Sequence, residues 1–262
     1  MAQWLKFEED STNYLNHKFG DQATFCHLGG EDSTVSDIRV TTNTGRRFYM
    51  DAKLVPAQCG QFVLIPSVAA GCFMFSDRNK TNLTPQVQAI IEHMNADFEA
   101  YKEAGTAGKD IDLHDGGKVF CDWIISTYLQ KGTDFFITNE YTILPIRDFA
   151  KHFDVTATYR VKRSGSAEVG ERKIPVIIQK IKTGGYPVDK FASKGGKLFV
   201  YSTRNLHDVR FVLDGYEYMF SIRDDKYEIR KLSNTFNANV IFSIFKKNQK
   251  GLTDAEFRAA LY

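Results

Sequence analysis

The sequence predicts an α/β protein of the α+β type, with helices and strands in residues 1–154 and mainly β-strands in residues 155–262. Three patterns support this prediction. Inward-facing residues recur at helical spacing in 3–18. β-Branched and aromatic residues alternate from Thr156 onward, and turn sequences such as Asp214-Gly215 separate the later runs. We therefore expect a region of mixed structure followed by a β-rich region.

The individual elements are assigned from the same patterns. Helices are predicted over 3–18, from Thr84-Pro85 to Phe98, and over 119–129, 146–153 and 253–261. Strands are predicted over 23–28, 36–42, 46–54, 62–65, 134–137, 141–144, 156–162, 174–182, 198–202, 209–213, 216–223, 227–232 and 240–245. The first helix has a predicted inward stripe formed by Trp4, Ser11, Tyr14 and Leu15.

Length and composition are those of a globular protein with a sizeable core, because 43% of the 262 residues are hydrophobic and 25% are charged. No apolar run approaches the roughly 20 residues that cross a bilayer. The first residues lack the basic-then-apolar pattern of a signal peptide. The cysteines have no zinc-ligand spacing, and they are Cys26, Cys59, Cys72 and Cys121. We expect reduced thiols and a cytoplasmic location.

Charge is unevenly distributed along the chain. Residues 1–150 contain 13 Lys and Arg against 20 Asp and Glu, whereas residues 151–197 contain 11 against 4. The basic segment suggests a polyanionic partner, and the acidic half suggests a metal ion. A solvated charged surface would explain the same distribution.

Residues 36–54 predict a β-hairpin of defined register. Asn43-Thr44-Gly45 is turn sequence between two runs of β-branched and aromatic residues. If these three residues form the loop, with Gly45 in the left-handed conformation, Thr42 pairs with Arg46. Counting outward then places position 38 opposite 50 and position 37 opposite 51.

This register brings two carboxylates and a lysine into one small space. Asp37 and Asp51 would lie on neighbouring strands with Cβ atoms roughly 5 Å apart. Lys53 would project from the same face as Asp51, and Ala52 from the other face. Opposed like charges destabilise a hairpin, so a divalent cation is the expected compensation. The alternative is an ordinary solvated face.

Three further polar residues are predicted near this hairpin. Glu8 falls on the inward stripe of the first helix, where an ionisable residue needs a partner or a role, whereas Glu9 looks more solvent-facing. Gln58 and Gln61 directly precede the apolar strand 62–65. They would orient a water or a phosphate, or simply cap that strand.

Basic and hydroxyl residues form a second candidate site. Arg160 and Lys162 share a strand face, and the segment continues into a Gly turn, which suits phosphate contacts or bidentate contacts to guanine. An exposed basic hairpin is the alternative. With the polar loop 76–82, the residues predicted to contact DNA are Arg78, Asn79, Arg160, Lys162, Arg163, Ser164 and Ser166.

These residues resemble the PD-(D/E)XK nuclease superfamily, and more narrowly the type II restriction endonucleases. The resemblance covers residues 7–65 and rests on four pieces in the right order: Phe7-Glu8, the segment 30–36 before Asp37, Asp51-Ala52-Lys53, and Gln58 with Gln61. Ser36 stands where the family commonly has proline, and Asp51 where glutamate is commoner. A loosely similar basic Ser-Gly-Ser element spans 160–166.

The resemblance implies a nuclease core with a mixed β-sheet flanked by helices in 1–154. It also implies a β-rich DNA-recognition region in 155–262, which can be continuous with the core. The implied activity is Mg²⁺-dependent, sequence-specific hydrolysis of double-stranded DNA. The expected partners are double-stranded DNA, a second copy of the chain matching a palindromic site, and a cognate DNA methyltransferase acting in the same system.

The chemistry implied for each residue follows from its type. Asp37 and Asp51 would hold Mg²⁺, and Lys53 would orient or help deprotonate the attacking water and offset phosphate charge. Glu8 would join through a metal-bound water or a second metal, and Gln61 would complete the catalytic set.

Two other functions fit the same residues. A Holliday-junction or repair nuclease with the same core would cut branched DNA selectively. A non-catalytic DNA- or RNA-binding protein with a structural acidic cluster would retain nucleic acid without cleaving it in Mg²⁺ or Mn²⁺.

Overall fold

A computed structural model describes residues 3–29, 35–247 and 250–262. Its helices are α1 (Gln3–Phe19), α2 (Pro85–Ala96), α3 (Phe98–Glu103), α4 (Gly116–Gln130), α5 (Phe149–His152), α6 (Ile174–Thr183) and α7 (Asp254–Ala260). Thr84 caps α2 by accepting a hydrogen bond from the Val87 amide, as its sequence predicts. The predicted loop residues 30–34 lie outside the described residues.

The described residues form sixteen strands, numbered in chain order. They are β1 (Ala23–His27), β2 (Ile38–Thr42), β3 (Arg47–Lys53), β4 (Ala57–Ser67), β5 (Cys72–Phe75), β6 (Lys109–Asp110), β7 (Thr133–Thr138), β8 (Thr142–Pro145), β9 (Phe153–Arg163), β10 (Ser166–Glu168), β11 (Lys190–Lys194), β12 (Lys197–Tyr201), β13 (Arg210–Leu213), β14 (Tyr216–Arg223), β15 (Lys226–Leu232) and β16 (Phe236–Lys246). Within the ranges that the structure describes, three short 3-10 helices span Asn139–Tyr141, Ile146–Asp148 and Glu171–Lys173.

The first sheet has the strand order β1-β2-β3-β7-β8 and is mixed, because β3 and β7 are parallel while its other pairs are antiparallel. One face buries Val40 and Met50 with Leu15 of α1 and Phe257 of α7. The other face contributes Phe136 to a core shared with α4. The predicted mixed sheet flanked by helices is therefore confirmed.

A second sheet has the order β5-β4-β16-β9-β6. Its inner side chains pack with α2 and α4 in the larger core, where Trp123 of α4 stacks on Phe242 of β16 at 4.4 Å between ring centroids. This arrangement holds the start of β4, with Gln58 and Gln61, next to α4.

Residues 162–237 form a separate compact unit inserted in the chain between β9 and β16, and the other unit comprises residues 2–161 and 238–262. The predicted boundary after residue 154 differs from this division because β9 begins at Phe153 and runs as one continuous strand to Arg163. The inserted unit contains a sheet of order β11-β12-β15-β14-β13, with β10 also paired to β15.

One predicted strand is wrong. Residues 174–182 form the helix α6, not a strand. The β-branched composition favours a strand, but Ile174, Ile177, Ile178 and Ile181 also recur at helical spacing, and Pro175 suits the first turn. Burial of Ile177 and Ile181 against the sheet of this unit selects the helix. In the described parts of the chain, no helix combines the length and apolarity needed to span a bilayer.

Candidate active site

The β2–β3 hairpin has the register predicted from its turn. The Thr42 amide donates to the Arg46 carbonyl at 3.0 Å, and Gly45 adopts a left-handed conformation with φ 86°. Ile38 therefore pairs with Met50. Because side chains alternate along β3, Asp51 and Lys53 face α4 whereas Met50 and Ala52 enter the core on the α1 side.

The hairpin brings Asp37, Asp51 and Lys53 together, as expected. Lys53 Nζ forms an ion pair with Asp51 Oδ1 and lies 3.8 Å from Asp37 Oδ2. The same Asp37 oxygen accepts a hydrogen bond from the Ala52 amide at 2.8 Å. Asp51 is only 3% exposed. Lys53 is therefore the cation shared by both carboxylates, in a space that is largely shielded from water.

Strand β7 helps to position this cluster. It pairs in parallel with β3 so that Asp51 lies beside Phe136 and Lys53 beside Thr138. Ser36, the residue that directly precedes Asp37, shares a 2.7 Å hydrogen bond between hydroxyl groups with Thr133 at the start of β7. A serine at this position thus ties the Asp37 backbone to the parallel strand.

Burial dominates the electrostatics of the cluster. It raises the pKa of Asp37 to about 8, and the negative charge of Asp51 contributes in the same direction. Burial lowers the pKa of Lys53, but the nearby carboxylates, Asp51 above all, outweigh it and hold that pKa well above its usual range. Lys53 is therefore an ammonium cation at neutral pH.

Glu8 of α1 reaches the same space. It is 6% exposed, and its Oε2 lies 3.3 Å from Nε2 of His27 on β1. Burial raises the Glu8 pKa, while His27 and the positive charge of Lys53 act to lower it. Glu8, and not Glu9, is thus the acid of α1 that lines the site. Trp4 is 47% exposed, so its predicted inward position is wrong, and it lines the cleft instead.

A bulge in β4 presents both glutamines to the cleft. Residues three apart in a regular strand project from opposite faces. Here the pairing with β16 shifts register between Gln61 and Gln58, and Gly60 between them has φ 115°. As a result Gln58 Nε2 donates to Gln61 Oε1 at 3.1 Å, and both side chains line the cleft.

This geometry predicts a strong effect of Gly60→Ala. A Cβ at this position would lie 2.8 Å from the Trp123 ring, in a conformation that favours glycine. We expect a loss of about 2 kcal/mol in the free energy of unfolding and a roughly 100-fold lower activity from displaced glutamines. Gly71→Ala is the matched control, because Gly71 also has positive φ but opens to free space. Denaturant unfolding and activity of both variants check the prediction, and equal effects would contradict it.

These residues line a cleft of about 830 Å³. Its α4 wall carries residues that the sequence-based prediction missed, among them Thr127, Tyr128 and Lys131. Lys131 Nζ lies 4.9 Å from the centre of the Tyr128 ring, and burial lowers its pKa. One pattern in the sequence could have identified this wall. The residues Trp123, Thr127 and Lys131 are spaced four apart, so in a helix they lie on the same face.

The loop after β5 forms another part of the cleft wall, with Arg78, Asn79, Lys80 and Thr81. The Asn79 side chain, predicted to contact DNA, is bound to backbone. Its Oδ1 accepts from the Val63 amide at 2.7 Å, and its Nδ2 donates to the carbonyls of Val63 and Ser76. Asn79 therefore anchors the loop, and Arg78 and Lys80 are the cations that the loop brings to the cleft.

The basic segment predicted at 160–166 is divided between the two compact units. Arg160 donates to the Thr106 carbonyl at 3.0 Å in the larger unit. In the unit 162–237, Arg163 pairs with Glu217, and the Ser164 hydroxyl hydrogen-bonds with that of Ser233 at 2.8 Å. The Ser166 hydroxyl accepts from Arg230 at 3.2 Å.

The donor set suits a hard divalent cation. Asp51 Oδ1 is buried and, within the described residues, accepts no hydrogen bond of normal geometry despite its ion pair with Lys53. The described chain holds no group of three or more His, Cys, Asp and Glu side chains placed to bind a metal. Two carboxylates, with water and phosphate oxygens completing the coordination, are what Mg²⁺ commonly uses.

Comparison with solved structures finds a protein that is similar to this chain over nearly its whole length. The chain is similar to HhaI endonuclease in complex with DNA, with 37% sequence identity and a TM-score of 0.83 over 99% of this chain and 99% of that chain. No model of a protein family and no curated protein matches the chain. The structural similarity extends over both compact units.

Proposed function

The chain belongs to the type II restriction endonucleases and is a site-specific deoxyribonuclease; from this premise we propose that it hydrolyses double-stranded DNA with Mg²⁺ at the cleft that contains Asp37, Asp51 and Lys53. The observation that carries the proposal is that Lys53 pairs with the buried carboxylate of Asp51 and lies beside the partly buried carboxylate of Asp37, in a cleft that basic residues also line.

Asp37 and Asp51 would hold the metal ion, because both residues line the cleft and carboxylate oxygens are the hard donors that Mg²⁺ prefers. When bound, Mg²⁺ supplies positive charge to the scissile phosphate and acidifies a water. The raised pKa of Asp37 means that this carboxyl releases its proton as it becomes a ligand.

Lys53 acts as a charged hydrogen-bond donor. Its raised pKa keeps the ammonium group protonated, which favours offsetting charge on the phosphate and orienting the attacking water over removing a proton from it. Glu8 and Gln61 line the same cleft, where their side chains would orient water. Glu8 is itself held by His27.

The outer walls supply phosphate contacts. Arg78, Lys80 and Lys131 line the cleft beside three acids, so a DNA strand entering it meets positive charge before it reaches the carboxylates. This proposal extends to the β-rich region as the part that recognises DNA, and to Lys162, Arg163 and the serines near them as candidate contacts.

Three further features complete the proposal. A homodimer would match a palindromic site, and a DNA methyltransferase of the same system would protect the host sequence. The four cysteines are free thiols, which fits the reducing cytoplasm in which such a system works.

Digestion of unmethylated plasmid and phage DNA tests this function. With Mg²⁺ we expect discrete fragments whose sequenced ends share one motif, and with a chelator we expect intact DNA. Lys53→Ala should bind DNA without cutting it. A smear of random ends, cleavage in the chelator, or wild-type cleavage by Lys53→Ala would each contradict the proposal.

A further inference from the structure

The inserted unit 162–237 has a net positive charge, whereas the rest of the chain has a net negative charge. It contains 15 Lys and Arg against 9 Asp and Glu, so its net charge is +6, whereas the whole chain has +2. Its sheet has one apolar face, where Ile177 and Ile181 of α6 pack with Val200, Phe220 and Ile229. The positive charge is concentrated on the other face.

The strand register identifies the side chains of this other face. Met219 pairs with both Arg210 and Arg230, while the neighbouring Phe220 pairs with Ile229 in the core. Residues that pair directly share a face. The bases placed on the face by this register are Lys190, Lys194, Lys197, Arg210, Arg223, Lys226 and Arg230. The acids on its strands are Glu168, Glu217 and Glu228, and each is ion-paired.

One buried glutamate orients two of these arginines. Glu228 is 3% exposed; its Oε2 accepts from Arg223 Nε at 3.0 Å and its Oε1 from Arg230 Nη1 at 2.6 Å. Burial raises the Glu228 pKa, but the two arginines outweigh it and hold that pKa below its usual range. Arg230 also donates to the carbonyl of Ser166 at 2.9 Å. Both guanidinium groups are thus fixed in direction.

A second glutamate repeats this arrangement on the same face. Glu217 pairs with Arg163 through one oxygen and lies 3.6 Å from Arg210 through the other. The Arg163 group is also 5.1 Å from the centre of the Phe236 ring. Two carboxylates therefore hold four arginines.

Arg223 retains unused hydrogen-bond donors on an exposed side chain. Its hydrogen bonds use Nε and one hydrogen of Nη1, which donates to the Ile222 carbonyl at 3.1 Å. Nη2 makes no hydrogen bond in the described chain, and the side chain is 48% exposed. Two adjacent guanidinium nitrogens with unused hydrogens match the oxygens of a phosphate group.

We propose that this face of the sheet, defined by the seven bases named above, binds the phosphate backbone of duplex DNA and that Glu217 and Glu228 orient its arginines for binding. The choice of backbone follows from size. Five strands at about 4.8 Å spacing span roughly 19 Å, wider than the roughly 12 Å major groove, so the flat face lies across phosphates. The proposal rests on the proposed function only in taking DNA as the substrate.

Binding of a labelled DNA duplex by the full chain, measured in a chelator over a series of salt concentrations, tests this inference. We expect Arg223→Ala to weaken binding about 5- to 10-fold at low salt and to reduce the slope of log Kd against log salt by about one. Lys180→Ala is the matched control, because it removes one positive charge from α6, which packs on the opposite face. We expect its affinity to stay within about twofold of wild type.

The Glu228→Gln variant distinguishes the orientation of the two arginines by Glu228 from the effect of its negative charge. It raises the net positive charge, so a purely electrostatic surface would bind DNA more tightly, whereas loss of orientation weakens binding. We expect weaker binding, with thermal unfolding used to confirm that Arg223→Ala and Glu228→Gln remain folded. Wild-type affinity in Arg223→Ala, or tighter binding by Glu228→Gln, would overturn the inference. DNA binding without Mg²⁺-dependent cleavage would instead contradict the proposed function and leave this inference standing.

Discussion

Asp37→Asn is expected to reduce Mg²⁺-dependent DNA cleavage by about 10³-fold and, without metal, to make the protein more stable. Asparagine keeps an oxygen for the 2.8 Å hydrogen bond from the Ala52 amide. It removes a carboxyl that burial and Asp51 make costly to ionise. At pH 8 in a chelator, we expect the free energy of unfolding to rise by about 2 kcal/mol.

The sign of the pH dependence follows from the raised pKa. Asp37 binds a proton more tightly in the folded chain, with a pKa of about 8, than in the unfolded chain, with the ordinary value of 3.8. Its contribution to stability is therefore fully present below about pH 4 and is lost as pH rises towards 8. The stability difference between Asp37→Asn and wild type should grow across this range. A difference that shrinks with rising pH would contradict the assigned pKa.

Asp134→Asn provides the control for both effects. Asp134 lies on β7 and forms an ion pair with Arg46 at 2.7 Å, with both side chains substantially exposed. This variant removes one carboxylate outside the cleft. We expect wild-type cleavage and a change in unfolding free energy below about 1 kcal/mol.

Lys53→Met is expected to reduce cleavage by about 10²- to 10³-fold, with the opposite effect on stability. The substitution keeps an aliphatic chain of similar length but leaves Asp37 and Asp51 without the cation that they share. Loss of one partner from a buried ion pair costs about 3 kcal/mol or more. Thermal unfolding in a chelator measures this cost.

Repeating the thermal unfolding with Mg²⁺ tests whether Asp37 and Asp51 bind the ion. If Asp37 and Asp51 hold the ion, Mg²⁺ should raise the melting temperature of Lys53→Met more than that of wild type, because it replaces the missing positive charge. Lys131→Met is the matched control within the cleft, where Lys53 remains in place. We expect only about a tenfold loss of cleavage for this control. Cleavage by Lys53→Met within tenfold of wild type would exclude the assigned role of Lys53.

The hairpin that carries Asp51 and Lys53 was predictable because its determinants are local. Turn chemistry at Asn43-Thr44-Gly45 sets the register, and the two-residue period of a strand then assigns Asp51 and Lys53 to one face and Ala52 to the other. The helical period likewise placed Glu8 on the inner side of α1. Each inference needs only neighbouring residues and backbone geometry.

Prediction from local sequence pattern failed where the residues fit both the strand period and the helix period, and where a strand is irregular. Residues 174–182 suit either a strand or a helix, and packing of Ile177 and Ile181 resolves the choice. The period of β4 alone would separate Gln58 from Gln61. Pairing with β16, more than 170 residues later in the chain, imposes the bulge at Gly60 that unites them.

The remaining features of the site arise only when distant segments pack together. His27 reaches Glu8 from β1, and Lys131 enters from the end of α4. Charges, hydrogen bonds and dehydration act through space, so they depend on neighbours that chain order does not specify. The identity of the two acids and the lysine was readable in the chain, whereas the raised pKa values of Asp37 and Lys53 and the surroundings of all three residues come from the packed core that encloses them.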